Sequence, residues 1–259
     1  MTRVIFLGTS AALPTGERGN VCLGVIGAAP NAGLLIDCGD GVYRALLRAE
    51  IGPDALDDIF ITHAHIDHIG ALPSLIESLR LAGRRRPLRI YALPEVLAIA
   101  QRLVAVYDFE LKLDHWEFPV SFHAVDEGQD VTLAGVPAHV YRMDHSVLSA
   151  GLRLDFPTGV LAYTCDTQPT SNIAQLGTQA RLFITEATFL SKDVEYARRG
   201  KHMTALEAGQ QAAACEAGTL ALVHLGVADG WNPADASAEA GQAFSGPIVV
   251  PQDGDTLEM

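Results

Sequence analysis

The chain has 259 residues, of which 49% are hydrophobic and 19% are charged. This length fits one large domain or two small ones, and the composition excludes disordered and fibrous proteins. Lys and Arg together number 18 and Asp and Glu 31, so the formal net charge is −13. Such an acidic chain is a poor general binder of nucleic acids, and an RNA substrate would need a local positive site such as bound metal.

The apolar start at residues 4–7 is too short for a signal peptide and predicts a first strand. No apolar run approaches the roughly 20 residues of a membrane span, so we expect no membrane partner. The cysteines form no CxxC pair, and we expect them to be reduced and buried in a cytoplasmic protein. They are Cys22, Cys38, Cys165 and Cys215.

Apolar alternation predicts strands, and apolar spacings of three and four residues predict helices. The predicted strands are residues 4–7, 22–26, 33–36, 58–62, 88–92, 120–125, 131–133, 138–143, 150–155, 160–164, 182–185, 220–224 and 247–250. The predicted helices are residues 43–50, 69–81, 94–106, 173–176, 205–216 and 233–243. Spacings typical of hairpins and of βαβ units both occur, which predicts an α/β protein with mixed sheets and outer helices.

The sequence HxHxDH at residues 63–68 concentrates residue types that bind metals. A strand runs into His63, and alternate residues of an extended segment share a face, so His63 and His65 can bind one ion. Asp67 and His68 fall at the start of the following helix, where the helix dipole favours a carboxylate. Three imidazoles and a carboxylate suit zinc, with manganese or iron as alternatives.

A site for two ions needs further ligands, and three candidates follow later strands. His145, Asp166 and His224 each stand where an apolar strand ends. Ligands of α/β proteins gather at such strand ends. We therefore predict that these three residues join the HxHxDH motif.

Three further histidines are His115, His123 and His139. His139 competes with His145, because both flank the same predicted strand. We prefer His145, which follows Asp144 at the end of that strand, whereas His139 lies in a hairpin-like segment. His115, His123 and His139 are interpreted as surface or hydrogen-bonded residues.

Several segments resemble the metallo-β-lactamase superfamily, namely FLGT at residues 6–9, LIDCGDG at residues 35–41 and the HxHxDH motif. The segments EATF at residues 186–189 and HMT at residues 202–204 narrow the resemblance to its ribonuclease Z-like branch. The resemblance implies a four-layer αββα sandwich with two mixed sheets and helices outside. It also implies a single domain over residues 1–259, built from two similar halves.

The resemblance also implies a site with two divalent ions, zinc first. It assigns His63, His65 and His145 to one ion, Asp67, His68 and His224 to the other, and Asp166 to a bridge between them. It further implies that Glu186 orients His202 as a general acid, while Asp67 orients the attacking hydroxide and accepts its proton.

The predicted function is a dinuclear metal-dependent phosphodiesterase, in which a hydroxide between the ions attacks a small or cyclic phosphodiester or an RNA end. The alternatives are a ribonuclease Z-type endonuclease for tRNA 3′ processing and a lactone or thioester hydrolase of the same fold. A non-catalytic scaffold is a further alternative.

Two departures from the ribonuclease Z pattern argue against tRNA as a partner. The short stretch between His145 and Asp166 leaves no room for the long arm that grips tRNA in that branch. The Ser-x-Arg-Tyr sequence that usually follows the last histidine is absent after His224. A homodimer is expected by analogy with the branch.

The sequence also contains two clusters of basic residues. Residues 84–86 with Arg89 are interpreted as a solvated turn. Residues 198–199 with Lys201 precede His202, so they are candidates for contacting a substrate phosphate.

Overall fold

The computed structural model describes residues 2–29, 32–107, 118–226 and 231–259. Two mixed sheets of seven strands each dominate this part of the chain. The first sheet has the order β14-β1-β2-β3-β4-β5-β6. Its strands are β1 (Arg3–Gly8), β2 (Cys22–Ala29), β3 (Ala32–Ile36), β4 (Asp58–Ile61), β5 (Leu88–Ala92), β6 (Val120–Ala124) and β14 (Thr256–Glu258).

The second sheet repeats the arrangement of the first in the order β13-β12-β11-β10-β9-β8-β7. Its strands are β7 (Asp130–Leu133), β8 (Val136–Met143), β9 (Ser149–Phe156), β10 (Gly159–Tyr163), β11 (Ala180–Glu186), β12 (Thr219–Val223) and β13 (Ile248–Val249). When the first sheet is followed from β14 and the second from β7, each shows three antiparallel pairings and then three parallel ones. The two sheets therefore share the same pattern of strand pairing.

The helices connect and cover the strands. They are α1 (Val42–Arg48), α2 (Ile66–Ile69), α3 (Leu72–Leu81), α4 (Pro94–Ala105), α5 (Ser171–Gly177), α6 (Val194–Gly200), α7 (Ala205–Ala214) and α8 (Pro233–Ala240). Among the described residues no helix is long and apolar enough to cross a bilayer.

The larger apolar core combines buried side chains of both sheets, such as Phe60 of β4 and Tyr163 of β10. Successive residues of a strand point to opposite faces, so the neighbouring Ala162 joins a second cluster with α5, α7 and α8. The four-layer αββα sandwich is thereby confirmed. We retain the single domain as a proposal, which the shared core supports.

Beyond shifts of a few residues at the ends of elements, the structure differs from the prediction in one divided helix and in additional short elements. The helix predicted at residues 69–81 is two helices, α2 and α3, separated at Gly70 and Ala71. Pro73 favours a new start because it has no N–H to donate and fits the first helical turn. Helix α6 and strand β14 are additional, since each is short and leaves little apolar periodicity in the sequence.

Candidate metal centre

The HxHxDH motif occupies the junction between β4 and α2. The strand ends at Ile61, and His63 and His65 follow it in the turn before α2. His63 Nε2 lies 3.1 Å from His65 Nδ1. Asp67 and His68 belong to α2, and His68 Nε2 lies 3.4 Å from Asp67 Oδ2.

The three later candidates converge on this motif from separate connections. His145 lies between β8 and β9, Asp166 follows β10, and His224 follows β12 directly. His145 Nε2 is 3.2 Å from His65 Nδ1, and His224 Nε2 is 3.4 Å from Asp67 Oδ2. The structure thus brings all seven predicted ligands together.

Asp166 lies between two groups of ligand atoms. Its Oδ2 is 3.7 Å from His63 Nε2 and 4.0 Å from His145 Nε2 in the first group. The same oxygen is 3.4 Å from His68 Nε2 and 3.1 Å from His224 Nε2 in the second group. This arrangement has the form of two adjacent sites that share one carboxylate.

The donor set fits divalent metal ions. Zinc bonds of about 2.0–2.1 Å in tetrahedral geometry place neighbouring ligand atoms roughly 3.3 Å apart, close to the separations within each group. In addition, His68 Nε2 and Asp166 Oδ1 are buried without a hydrogen-bond partner among the described residues. Buried polar atoms without partners are costly in a folded protein, and a cation between them would satisfy both.

Asp37 orients two histidines from behind. Its Oδ2 accepts a hydrogen bond from His68 Nδ1 at 2.8 Å. Its Oδ1 accepts one from Thr62 Oγ1 at 2.8 Å, and that hydroxyl lies 3.1 Å from His63 Nδ1. These contacts direct the Nε2 atoms of both rings at the proposed ions, as outer hydrogen bonds do for metal-bound histidines.

Glu186 orients two further histidines, His202 and His224, in the same way. Its carboxylate accepts a hydrogen bond from His202 Nδ1 at 2.9 Å. It accepts another from Thr188 Oγ1 at 2.7 Å, and this hydroxyl lies 2.8 Å from His224 Nδ1. Asp37, Thr62 and Thr188 were not predicted as site residues, although Asp37 and Thr188 lie in segments that carry the family resemblance.

The loop after β3 is hydrogen-bonded to the HxHxDH motif and to the residues that follow it. Cys38 N donates to the carbonyl of His68 at 2.6 Å, and Ala71 N donates to the carbonyl of Cys38 at 3.0 Å. Gly39 packs so closely on the backbone carbonyl of Asp67 that a Cβ there would collide with it. Any larger residue at position 39 would therefore displace α2.

Four residues around the centre have left-handed backbone conformations. Asp37, Cys165, Lys201 and His224 have φ between 51° and 67°. Such residues cost about 1–3 kcal/mol each and cluster at functional sites. They turn the chain sharply at strand and helix ends, which places His224 itself and the residues after Cys165 and Lys201 at the centre.

The electrostatics of the site follow from burial and from close opposite charges. Burial lowers the pKa of His63, His65 and His145, which favours the neutral form that binds metal. Burial also lowers the pKa of His202, but the Glu186 carboxylate outweighs it and raises that pKa to about 9.

The other histidines lie elsewhere. His139 is 39% exposed and contacts the Asp155 carboxylate at 3.1 Å, so it does not compete with His145. His123 stacks on Tyr91 with a ring separation of 5.0 Å. His115 lies outside the described residues.

The interpretation of the first basic cluster as a solvated turn is wrong for Arg84, whereas Arg85, Arg86 and Arg89 are exposed or partly exposed. The Arg84 side chain is fully buried, and it donates hydrogen bonds to the carbonyls of Pro53, Leu56 and Pro87. Burial lowers its pKa to about 10, so the guanidinium remains charged at neutral pH. Arg84 stabilises the turn because its planar guanidinium group donates hydrogen bonds to three backbone carbonyl oxygens at once.

The second basic cluster borders the centre. Arg198 pairs with Glu207, and Lys201 Nζ lies 2.8 Å from Asp144 Oδ1. The backbone carbonyl of Lys201 accepts a hydrogen bond from His145 Nδ1 at 3.1 Å. A contact between this cluster and substrate phosphate stays a prediction.

A family model described as a β-lactamase superfamily domain matches residues 33–225, a span that includes all seven proposed ligands. This chain belongs to the metallo-β-lactamase superfamily. Ribonuclease Z of Natronomonas pharaonis is 30% identical to it, over 99% of this chain and 97% of the relative. Ribonuclease Z of Myxococcus xanthus is 27% identical, over 100% of this chain and 98% of the relative. The chain is thus a ribonuclease Z-like member of the superfamily.

Solved structures show the same superfamily fold. The metallo-β-lactamase fold protein YhfI from Bacillus subtilis has a TM-score of 0.82 at 22% identity, covering 99% of this chain and 98% of that one. The short form of human tRNase Z has a TM-score of 0.76 at 21% identity, with coverage of 99% and 98%.

The family match and the full-length similarity to chains named ribonuclease Z show a metal-dependent hydrolase, and the superfamily fold implies divalent ions as its cofactors. The argument against tRNA as a partner is wrong, because chains named ribonuclease Z match this superfamily member along nearly its full length. One physical error behind the expectation lies in the use of the net charge. A sum of −13 describes the whole surface, whereas binding of a phosphate depends on the local field at the metal centre.

The cytoplasmic location and the homodimer stay predictions for this superfamily member.

Proposed function

We propose that this chain is a ribonuclease Z-type phosphodiesterase that cleaves RNA at the 3′ end of tRNA precursors. The observation that carries the proposal is the Glu186–His202 pair beside the cluster of seven ligand residues, with 2.9 Å between Glu186 Oε1 and His202 Nδ1. The full-length similarity to chains named ribonuclease Z supports the same substrate class.

The ligands divide into two groups around Asp166. His63, His65 and His145 would hold one ion, Asp67, His68 and His224 the second, and Asp166 would contact both. When bound, two such ions activate a water molecule and stabilise negative charge on a phosphate. Two divalent ions bring four positive charges, of which Asp67 and Asp166 offset two, so the centre attracts an anionic phosphodiester despite the acidic surface.

Asp67 and His202 supply the proton transfers. Burial opposes ionisation of Asp67, but hydrogen bonds from His224 and His68 outweigh it and hold its pKa below its usual range. The ionised carboxylate would orient the attacking water and accept its proton. His202, protonated because Glu186 faces its Nδ1, would donate a proton from Nε2 to the leaving ribose oxygen.

This pair also separates phosphodiester cleavage from thioester hydrolysis. A ribose alkoxide is a poor leaving group and needs a proton, whereas a thiolate leaves readily without one. A buried carboxylate that keeps a histidine protonated is therefore of most use for the RNA reaction.

The direct experiment incubates the metal-loaded protein with a tRNA precursor that carries a 3′ trailer and maps the product ends. We expect cleavage at one site, which Asp166→Ala and His202→Ala abolish or slow. Asp130→Ala is a matched control, since that side chain is 97% exposed. Turnover of bis(p-nitrophenyl) phosphate without any cleavage of the precursor would reject tRNA as the substrate.

A small or cyclic phosphodiester is the second candidate substrate. It is favoured by the connection between β8 and β9, which spans only residues 144–148 and is too short to form an arm that would hold a large substrate. A comparison of kcat/KM for the precursor and for a cyclic nucleotide, at low and at near-physiological salt, distinguishes the two. The RNA reaction should lose rate steeply with salt, because RNA binding releases counterions.

A further inference from the structure

A cleft of about 400 Å³ opens beside Asp67, at the edge of the metal centre. Its apolar wall is formed by Ala12, Pro14, Ile66 and Ala71. Ile66 is 75% exposed, although it lies between two proposed metal ligands at the start of α2. A ligand bound in the cleft would bury this large apolar side chain at a gain.

The polar part of the cleft decides what kind of ligand fits. Asp40 and Asp67 both line it. Because Asp67 Oδ2 faces the ligand atoms of His68 and His224, Asp40 is the carboxylate left to meet a ligand in the cleft. The exposed Asp40 carboxylate can only accept hydrogen bonds when ionised. Apolar walls together with an acceptor suit a planar ring that carries N–H donors.

We propose that this cleft, here named the Asp67 cleft, binds the nucleobase of the nucleoside that keeps the phosphate after cleavage. The proposal rests on the phosphodiesterase function proposed above. Bases stack on apolar surfaces with little dependence on sequence. Each standard base also carries an N–H group that can donate a hydrogen bond to Asp40.

The position of the cleft relative to His202 determines which nucleoside it receives. His224 stands between the two, since its Nε2 is 3.4 Å from Asp67 Oδ2 and its ring stacks on His202 at 5.3 Å. The leaving oxygen belongs at His202, which protonates it, and in-line attack places the water opposite that oxygen, near Asp67. The leaving nucleoside therefore extends away from Asp67, whereas the retained nucleoside is attached at an equatorial position of the phosphorus and can reach the cleft.

Two substrates with the same leaving group isolate the base. Thymidine 5′-(p-nitrophenyl phosphate) carries a base on the retained side, and its abasic analogue carries only the sugar there. We expect the wild-type protein to prefer the first, measured as the ratio of the two kcat/KM values. The Ile66→Ala substitution should lower this ratio about five- to tenfold, because it removes most of the apolar wall.

A second variant tests the cleft without touching the motif. Ser74 is an exposed residue of α3 that lines the cleft, so Ser74→Leu should fill it and lower the same ratio. Leu81→Ala is the matched control at the far end of α3, where the side chain is 71% exposed, and it should leave the ratio unchanged. Metal content is measured for every variant.

Equilibrium binding separates this inference from the proposed function. Titration calorimetry with thymidine 5′-phosphate and with its abasic analogue reports on the cleft without turnover. Preferential binding of the nucleotide that is lost in Ile66→Ala and Ser74→Leu supports the cleft, even if no diester is hydrolysed and the proposed function fails. Equal affinity for both ligands, or an unchanged preference in both variants, overturns it.

Discussion

Asp37 and Glu186 are fully buried carboxylates that each hold two histidines of the metal centre, one directly and one through a threonine hydroxyl. Asp37 follows β3 of the first sheet, and Glu186 ends β11 of the second. The two sheets thus supply one orienting carboxylate each. Because both carboxylates lie behind the rings, they fix which nitrogen of each histidine faces the centre.

Replacement of Asp166 by alanine should remove the carboxylate that both ligand groups face. We expect about two divalent ions per chain in the native protein, a clear loss of metal in Asp166→Ala, and a fall in activity by orders of magnitude with the fold intact. Metal analysis by mass spectrometry and far-UV circular dichroism measure these effects. Full activity in Asp166→Ala would refute the shared-ligand arrangement.

Replacement of His202 by alanine should leave the metal content unchanged and lower kcat by roughly 10²–10⁴, the range expected for loss of a general acid. The effect should be smaller with p-nitrophenyl esters, whose leaving group needs no proton. The measurement is a series of aryl diesters with graded leaving-group pKa. An equal loss across the series would mean that His202 has only a structural role.

Replacement of Asp37 by alanine should weaken metal binding by about 10–100-fold, because His68 and Thr62 lose the acceptor that orients them. Competition with a chromogenic chelator measures the affinity. Asp37→Asn serves as the conservative comparison and should retain part of the affinity, since its amide oxygen can still accept one hydrogen bond. Wild-type affinity in Asp37→Ala would show that the rings are held by packing alone.

Replacement of Arg84 by alanine should lower the free energy of unfolding by about 3 kcal/mol or more, because the carbonyls of Pro53, Leu56 and Pro87 lose their donor in a buried turn. Urea denaturation measures this change. Arg102→Ala is the control on an exposed face of α4, where we expect a change within about 0.5 kcal/mol. Similar values for the two variants would place the Arg84 side chain in solvent.

The prediction about tRNA shows where an argument from composition fails. The count of acidic and basic residues carries no information on position, so it cannot report the local field at the metal centre. Only the folded chain shows which charges a phosphate would meet.

The sequence by itself determined the strands, the outer helices and the residue types of the centre, because strand alternation and the HxHxDH spacing are local properties of the chain. Tertiary structure decided which of the distant polar residues meet. His65 and His145 are separated by 80 positions, and their ring nitrogens approach to 3.2 Å only because the two sheets present their strand ends at one place. The pairing of Asp37 with His68, the burial of Arg84 and the cleft beside Asp67 follow from the same packing. Each depends on contacts between segments whose separation in sequence has no fixed relation to their distance in space.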